Sequence, residues 1–357
     1  MVLYGEAGRC VNLVISVASV VVNLSGCLSV APQGIVPLNK TYEIQPHKDM
    51  TNPAQQDEPN NFQEPTAEKP ILLLHGDTRE LIKRLPDKTF QCAITSPPYW
   101  GVRDYGVDGQ IGAEPDINDY IADLVSIFSE LRRVLRDDGI FWLNIGNTYT
   151  SGGRKWRQED SKNKGRAMSY RPPTPDGLKK KDLIGVAWML AMACQRDGWY
   201  LRNDIIWNKP NCQPESVRDR FTVAHEYLFM FSKSEKYFFD QNAVKEPAQN
   251  GNGLKNKRTV WSINTEPCPE AHFAVFPQAL VRPCILAGSS NNDLVLDPFY
   301  GAGTVGIVSK ELGRRCVGIE LNEEYVSIAK KRTRAVQGSV LTELSKISKS
   351  HGRCSAS

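Results

Sequence analysis

The sequence lacks the residue patterns by which metal and disulfide sites are usually recognised. It contains nine cysteines and five histidines, yet no C-x-x-C pair, no H-E-x-x-H motif and no cluster of cysteine with histidine occurs. We therefore expect neither a zinc site nor a disulfide framework, and we expect reduced thiols in an intracellular protein. A Ser/His/Asp signature is also missing. Any active site is predicted to work without a metal.

An excess of charge of one sign is missing as well. The 44 Lys and Arg against 40 Asp and Glu leave a formal net charge of +4, which permits a nucleic-acid partner without requiring one. The placement of charge is more informative, because basic residues are concentrated in two segments, 151–181 and 241–258. We expect these segments to contact nucleic-acid phosphates, with solvated loops as the alternative. The expected contacts are Arg154, Lys155, Arg157, Lys255, Lys257 and Arg258.

Long hydrophobic runs are scarce, and the one candidate lies near the start of the chain. Residues 11–31 are uncharged and rich in Val, Leu and Ser, which superficially fits a signal peptide or a short membrane segment. Interspersed Asn and Ser make the run only moderately apolar, so we expect a poorly ordered leader instead of an export signal. Residues 32–69 are predicted to be a disordered linker. The predicted organisation is a largely disordered extension over 1–70, a folded domain over 71–335 and a tail over 336–357.

From residue 71 onward, short apolar runs alternate with segments whose apolar residues recur at helical spacing. This alternation predicts an α/β fold with an open, mostly parallel sheet that is wound on both faces. The predicted strands are 71–74, 91–95, 140–145, 200–207, 225–231, 236–239, 294–296 and 316–320. The predicted helices are 81–85, 117–135, 182–195, 276–287, 305–312 and 323–335.

The segment from Asp297 to Thr304 follows a predicted strand and opens a predicted helix. Gly301, Gly303 and Gly306 form a G-x-G-x-x-G pattern, and Glu320 ends the next strand about 20 residues later. Glycines allow a sharp turn and close approach to a ligand, and the acid can accept hydrogen bonds from ribose hydroxyls. A carboxylate at the strand tip suits the cationic S-adenosylmethionine and would repel a pyrophosphate. We predict S-adenosylmethionine as the cofactor.

A second turn follows the predicted strand at 91–95 and consists of Ser96, Pro97, Pro98 and Tyr99. An exocyclic base amine is a poor nucleophile, because its lone pair is delocalised into the ring. The Ser96 hydroxyl and the Pro97 carbonyl can each accept one N–H and so free that lone pair, while the proline pair holds the carbonyl rigidly. Tyr99 offers a ring on which an extruded base can stack. These four residues are the candidate catalytic residues.

Over roughly residues 71–335 the sequence resembles the β class of amino-DNA methyltransferases, in which the catalytic motif precedes the cofactor motif. Ser96 to Tyr99 is similar to the catalytic motif, and Phe299 to Gly303 is similar to the first cofactor motif. Glu320 matches the ribose-binding acid, and Asp77 matches an aspartate that contacts the cofactor. Residues 272–285 resemble the helix that closes the cofactor pocket.

This resemblance implies a Rossmann-like fold with a seven-stranded sheet, base flipping on double-stranded DNA, and an intracellular protein that works with DNA. It places a target recognition region at about 241–270, besides the basic loop at 148–181, and leaves the oligomeric state open, a homodimer included. Serine at the first catalytic position is typical of cytosine-N4 enzymes and aspartate of adenine-N6 enzymes, so cytosine is favoured. The expected cofactor-binding residues are Asp77, Asp297, Pro298, Phe299, Gly301, Gly303, Thr304 and Glu320.

Other functions remain open at this point. The glycine pattern also suits a NAD-dependent dehydrogenase, although that function leaves Ser96 to Tyr99 unexplained. A regulatory DNA-binding protein without turnover, or a methyltransferase acting on RNA or on protein glutamine, would share parts of the pattern. Asn144 and Lys209 follow predicted strands on the pocket side, where each is either a pocket residue or a structural one.

Overall fold

The computed structural model describes residues 62–150, 171–248, 251, 253–268 and 275–336. All of them belong to one compact unit, Asp57–Ser357. The expected leader, most of the predicted linker, the centre of the basic loop and the tail after residue 336 lie outside the described residues.

Ten strands and six helices make up this unit in its described part. The strands are β1 (Ile71–His75), β2 (Phe90–Thr95), β3 (Leu135–Ile145), β4 (Tyr200–Asn208), β5 (His225–Ser232), β6 (Glu246–Pro247), β7 (Leu254–Lys255), β8 (Val260–Ser262), β9 (Leu294–Asp297) and β10 (Arg315–Glu320). The helices are α1 (Thr78–Leu81), α2 (Ile117–Val134), α3 (Val186–Arg196), α4 (Gln278–Gly288), α5 (Thr304–Glu311) and α6 (323–336), with 3₁₀ turns at Ile82–Arg84 and Asn242–Val244.

Eight strands form one sheet in the order β1-β10-β9-β2-β3-β5-β4-β8, and β6 pairs with β7 in a separate hairpin. Only β5 among the eight runs antiparallel to its neighbours. The predicted fold class, α/β with a mostly parallel sheet, is confirmed. The sheet has one strand more than the seven that the resemblance implied, because the short β8 pairs with the edge of β4.

Helices cover both faces of this sheet. Along β2, Phe90 and Ala93 belong to the hydrophobic cluster that contains the buried side of α2 and α3. Cys92 and Ile94 belong to the opposite cluster, which contains the buried residues of α4 and α5. Successive side chains of a strand point to opposite faces, so a strand buried on both sides is apolar throughout. This explains why the centre of β2, residues 92–94, is apolar on both faces.

The sheet order determines where a ligand can bind. Because β9 and β2 are adjacent although they are far apart in the chain, the sheet changes winding direction between them. Open α/β sheets bind ligands outside the carboxyl ends of the strands at such a point. The carboxyl ends of β2, β9 and β10 lie at the same edge, since these strands are parallel.

The structure departs from the sequence-based elements in a few places. The expected strand at 236–239 is wrong: β5 is already paired with β3 on one side and β4 on the other, so no edge is left for it. The helix expected at 276–287 begins at Gln278, after Pro277 as its N-cap. Among the described residues, no helix is long and apolar enough to cross a membrane.

Candidate functional site

A cleft of about 1040 Å³ opens at the carboxyl edge of the sheet. It is lined on one side by the turn Ser96–Tyr99 after β2 and on the other by residues 298–302 after β9. The strand tips themselves are joined, because the Thr95 hydroxyl donates a 2.6 Å hydrogen bond to Asp297 Oδ1. The two turns that the sequence singled out therefore face one cavity.

Asp297 is a structural link between the two turns. It is 1% exposed, and its Oδ1 also accepts a hydrogen bond from the backbone N–H of Phe299 at 3.1 Å. Burial raises the pKa of Asp297 to about 7, although the hydrogen bonds from Thr95 and Phe299 oppose this. The carboxylate does not line the cleft, so it holds β2, β9 and the following turn together from behind.

The turn after β9 presents backbone and carboxylate groups to the cleft. Glu320, at the end of β10, accepts hydrogen bonds from the N–H of Gly301 at 2.7 Å and of Asn322 at 2.8 Å. Burial raises the pKa of Glu320, while these backbone N–H groups act in the opposite direction. Gly301 has φ +51° and Gly303 has φ +82°, backbone conformations that favour glycine. Each carboxylate oxygen retains a further lone pair for a ligand hydroxyl.

Two other glycines are required by a tyrosine instead of by a ligand. The Tyr300 ring is buried between Gly306 and Gly318. A Cβ at Gly306 would lie 1.8 Å from the Tyr300 hydroxyl oxygen, and one at Gly318 would lie 2.2 Å from the ring. The last glycine of the G-x-G-x-x-G pattern therefore packs the turn against the helix and does not approach a ligand.

The candidate catalytic turn, residues 96–99, is held by residues that are remote in sequence. Pro98 accepts a 2.9 Å hydrogen bond on its carbonyl from the hydroxyl of Tyr120, which is buried in α2. The Pro97 carbonyl accepts no hydrogen bond from another described residue, and the Ser96 hydroxyl has only a long, 3.5 Å contact with the Tyr99 hydroxyl. Ser96 and Pro97 both line the cleft, and each of these two oxygens can still accept a hydrogen bond.

Glu226, near the start of β5, connects several polar groups of the cleft. Its Oε2 accepts hydrogen bonds from the Tyr99 hydroxyl at 2.7 Å and from Asn144 Nδ2 at 3.2 Å. Its Oε1 forms an ion pair with Lys209, whose ammonium also lies 4.3 Å from the Trp207 ring centre. Burial, followed by the charge of Glu226, raises the pKa of Tyr99, so the phenol stays protonated and donates.

Asp77 lines the cleft but is already engaged. It caps α1 by accepting from the N–H of Arg79 at 2.8 Å, and the Arg79 guanidinium lies 2.6 Å from its Oδ2. Partial burial raises the pKa of Asp77, but the hydrogen bonds from Arg79 outweigh it and the pKa is lowered. Arg79 also donates to the Gly109 carbonyl at 2.6 Å, which ties α1 to the loop after the catalytic turn.

The chain matches known proteins over most of this unit. A family model described as DNA methylase matches residues 90–331. The type II methyltransferase M.SmaI of Serratia marcescens is 65% identical over 261 residues, which cover 73% of this chain and 89% of that protein. This chain belongs to the DNA methylase family.

Solved structures show the same fold. The PvuII DNA methyltransferase, described as cytosine-N4-specific, has a TM-score of 0.56 at 18% identity. The match covers 77% of the present chain and 93% of the PvuII chain. A Thermus thermophilus protein described as a DNA modification methylase, complexed with S-adenosyl-L-methionine, has a TM-score of 0.50 at 24% identity. The match covers 74% of the present chain and 95% of the Thermus chain.

Family membership resolves several expectations. The methylase is a DNA methyltransferase, and S-adenosylmethionine is the cofactor of its family, so both expectations are confirmed. The function of a NAD-dependent dehydrogenase is excluded.

The site fits the cofactor: the Glu320 carboxylate suits ribose hydroxyls, the Phe299 ring offers an apolar surface, and a Cβ at Gly301 would meet no atom nearer than 4.0 Å. Among the described residues, no group of three or more His, Cys, Asp or Glu could hold a metal.

The structure brings together most of the residues singled out in the sequence. Those that line the cleft are Ser96, Pro97, Pro98, Tyr99, Asp77, Pro298, Phe299, Gly301, Thr304 and Glu320. Asp297 and Gly303 support the turns from outside the lining. Phe276 lines the cleft just before α4, whereas His272 lies outside the described residues.

Of the six expected phosphate contacts, only Lys255, Lys257 and Arg258 are among the described residues. Arg154, Lys155 and Arg157 lie outside them. Lys255 and Lys257 both pair with Glu246, at 3.4 and 3.7 Å, and Lys257 also lies 4.9 Å from the Trp261 ring centre. Arg258 is exposed. All six residues stay predicted DNA contacts, although Lys255 and Lys257 are each partly neutralised by the ion pair with Glu246.

Sequence analysis missed Glu226 and Tyr120. Glu226 is the second residue of an apolar strand and belongs to no motif, so no local signal distinguishes it from an ordinary surface acid. Tyr120 lies at a core position of the amphipathic α2, and its hydroxyl reaches the catalytic turn only because α2 packs under β2. A close contact across 127 residues, such as Tyr99 with Glu226, cannot be found from spacing.

Proposed function

We propose that this DNA methyltransferase transfers the methyl group to N4 of cytosine at specific sites in double-stranded DNA. The observation that carries the proposal is the Ser96 hydroxyl, which lines the cleft beside the unengaged Pro97 carbonyl. Serine at this position is typical of the cytosine-N4 enzymes that the sequence resembles. The fold likeness to a methyltransferase described as cytosine-N4-specific agrees with this choice without deciding it.

The two oxygens suit the geometry of an exocyclic amine. An amine has two N–H groups, and acceptors on Ser96 and Pro97 can bind both at once. Binding both N–H groups draws the nitrogen out of the ring plane and directs its lone pair toward the cofactor side of the cleft. The Tyr120–Pro98 hydrogen bond and the two proline rings limit movement of the turn, so the acceptors are held in place before a base arrives.

Tyr99 would hold the base while the amine reacts. Its hydroxyl is anchored on Glu226, so the ring is fixed at one edge. S-adenosylmethionine supplies an electrophilic methyl group when bound. The amine nitrogen, held by Ser96 and Pro97, would accept that methyl group and would then, as a cationic amine, release one proton to water. A strong base is therefore not needed, and Ser96 serves as an acceptor instead of a nucleophile.

Domain assignments follow from this function. We assign catalysis to residues 71–335 and target recognition to about 241–270, with the basic loop at 148–181 as a backbone contact. The described part of the recognition region contains the β6–β7 hairpin and β8, which pairs with the sheet next to β4. This attachment would hold a base-reading element at a constant distance from the cleft.

The test is incubation of the full chain with double-stranded DNA and labelled S-adenosylmethionine, followed by mass spectrometry of the nucleosides. We expect N4-methylcytosine, formed roughly 10²–10³-fold more slowly when Ser96→Ala replaces the wild-type protein. Formation of N6-methyladenine alone would show that the substrate is the N6 amine of adenine and that the cytosine proposal is wrong. The absence of any methylated base, with cofactor binding shown by a thermal shift, would contradict the proposal.

A further inference from the structure

Phe221, in the loop between β4 and β5, exposes almost its entire side chain to solvent. It is 96% exposed, whereas the other large exposed apolar residues of the described part keep between 36% and 65% of their surface exposed. A single apolar residue on a surface is ordinary and needs no function. Two further observations, on the stiffness of this loop and on its location, distinguish Phe221 from such a residue.

The loop around Phe221 is braced although its ring is not covered. Arg220 pairs with Glu215 at 2.7 Å and donates to the Phe221 carbonyl at 2.9 Å. The same Glu215 oxygen accepts the N–H of Val223 at 3.1 Å, and the Arg220 guanidinium lies 4.1 Å from the Tyr149 ring centre. The backbone on both sides of Phe221 is thus fixed to the scaffold, and the ring is presented outward at a defined place.

This place is the mouth of the catalytic cleft. Arg220 and Val223, on either side of Phe221 in the chain, line the cleft, as do Tyr149 and Glu226. Glu226 in turn accepts the hydroxyl of Tyr99, so the loop leads directly into the strand that anchors the ring on which the base would stack. An apolar ring therefore projects beside the opening through which a base must enter.

We propose that Phe221 inserts into the DNA duplex and occupies the space left by the extruded base, an inference that rests on the proposed methylation of DNA bases. Extrusion leaves a gap in the base stack and costs unstacking and unpairing energy. An apolar side chain inserted between base steps covers the exposed neighbours and loses its own contact with water. Phe221 thereby lowers the cost of the extruded state without touching the reacting atoms.

The test compares two duplexes built around a site that the wild-type protein methylates, one fully paired and one with the target base mispaired. A mispaired base costs less to extrude, so it depends less on an inserted ring. For Phe221→Ala we expect a loss of kcat/KM of roughly tenfold on the paired duplex and of less than about threefold on the mispaired one. Phe221→Trp, which keeps a ring, is expected to retain most activity on both duplexes.

Phe239→Ala is the matched control, because Phe239 is also an exposed phenylalanine, but its neighbours Phe238 and Asp240 do not line the cleft as those of Phe221 do. It is expected to leave both substrates unaffected. Wild-type activity of Phe221→Ala on the paired duplex would overturn the inference. Equal losses on both duplexes, with an unchanged Tm and an unchanged thermal shift by S-adenosylmethionine, would overturn it too. A wild-type protein that methylates no DNA would instead overturn the proposed function, and would do so before any variant is made.

Discussion

The two turns at the edge of the sheet are stabilised in different ways. The cofactor turn, residues 298–303, is held by its own neighbourhood: Tyr300 packs between Gly306 and Gly318, and Glu320 binds the Gly301 N–H. All of these residues come from one β9–α5–β10 unit. The proposed catalytic turn, residues 96–99, is held by Tyr120 from α2 and Glu226 from β5.

Because of this difference, we expect substitutions near the two turns to affect stability, cofactor binding and turnover differently. A change inside the cofactor unit is expected to alter stability and cofactor binding together, because packing forms the turn. A change near the catalytic turn is expected to alter turnover with little effect on cofactor binding, because its acceptors are aimed by remote side chains. Asp297 is the point where the two turns meet, through its hydrogen bond from Thr95.

Removing the Ser96 hydroxyl is expected to have the largest effect. Ser96→Ala deletes one of the two proposed amine acceptors and should lower kcat by roughly 10²–10³-fold, the usual loss for one preorganised hydrogen-bonding partner. The thermal shift by S-adenosylmethionine should stay unchanged, because Ser96 belongs to the catalytic turn. Initial rates and thermal melts measure both.

Ser290→Ala is a suitable control, since Ser290 is exposed and does not line the cleft. Wild-type turnover of Ser96→Ala would refute the acceptor role. If Ser96→Ala instead weakened cofactor binding as much as it lowered kcat, the two turns would not differ in their effects on turnover and on cofactor binding.

Gly306→Ala tests the cofactor turn. Alanine normally stabilises a helix interior by about 1 kcal/mol relative to glycine, but here its Cβ would lie 1.8 Å from the Tyr300 hydroxyl oxygen. We expect a loss of roughly 1–3 kcal/mol from overpacking, measured as a lower Tm, together with weaker cofactor binding. Tyr300→Phe in the same protein should restore part of the loss. A Tm above that of the wild type would contradict the packing argument.

Glu226→Gln tests whether the catalytic turn depends on remote support. Glutamine keeps the shape but removes the charge that pairs with Lys209 and weakens the acceptor for the Tyr99 hydroxyl. Loss of positioning is expected to lower kcat about tenfold, a smaller loss than removal of a reacting contact, with cofactor binding unchanged. Glu235→Gln, at an exposed position outside the cleft, should leave kcat at the wild-type value. An unaltered kcat of Glu226→Gln would show that the turn is positioned without it.

The smallest expected effect concerns the junction of the two turns. Because the pKa of Asp297 is raised from 3.8 to about 7, the folded state keeps a proton that the unfolded state releases above about pH 4. The free energy of unfolding therefore falls as the pH rises from about 4 to about 7, and this contribution is constant above that range. Asp297→Asn removes it, so the Tm of the variant relative to wild type should rise by a few degrees between these pH values. A difference independent of pH would argue against a protonated Asp297.

Much of the fold was predictable because its signals are local. The doubly wound sheet follows from short apolar runs within strands such as β2 and β9, each buried on both faces. The cofactor turn follows from glycines placed between a strand and a helix. The failures occur where a local pattern competes with the rest of the molecule: residues 236–239 have strand composition but no free edge, and β8 forms only because β4 offers one.

The sequence by itself determined the order of the two motifs, the parallel sheet and the family to which they belong, since each depends on residues near one another in the chain. Only the tertiary structure decided that Thr95 meets Asp297 across 202 residues and that Tyr99 meets Glu226 across 127. Such pairs arise when the sheet brings distant strands to one edge, and hydrogen bonds between them leave no periodic trace in the chain. The chemistry was therefore encoded locally, while the rigidity of the site depends on contacts that only folding creates.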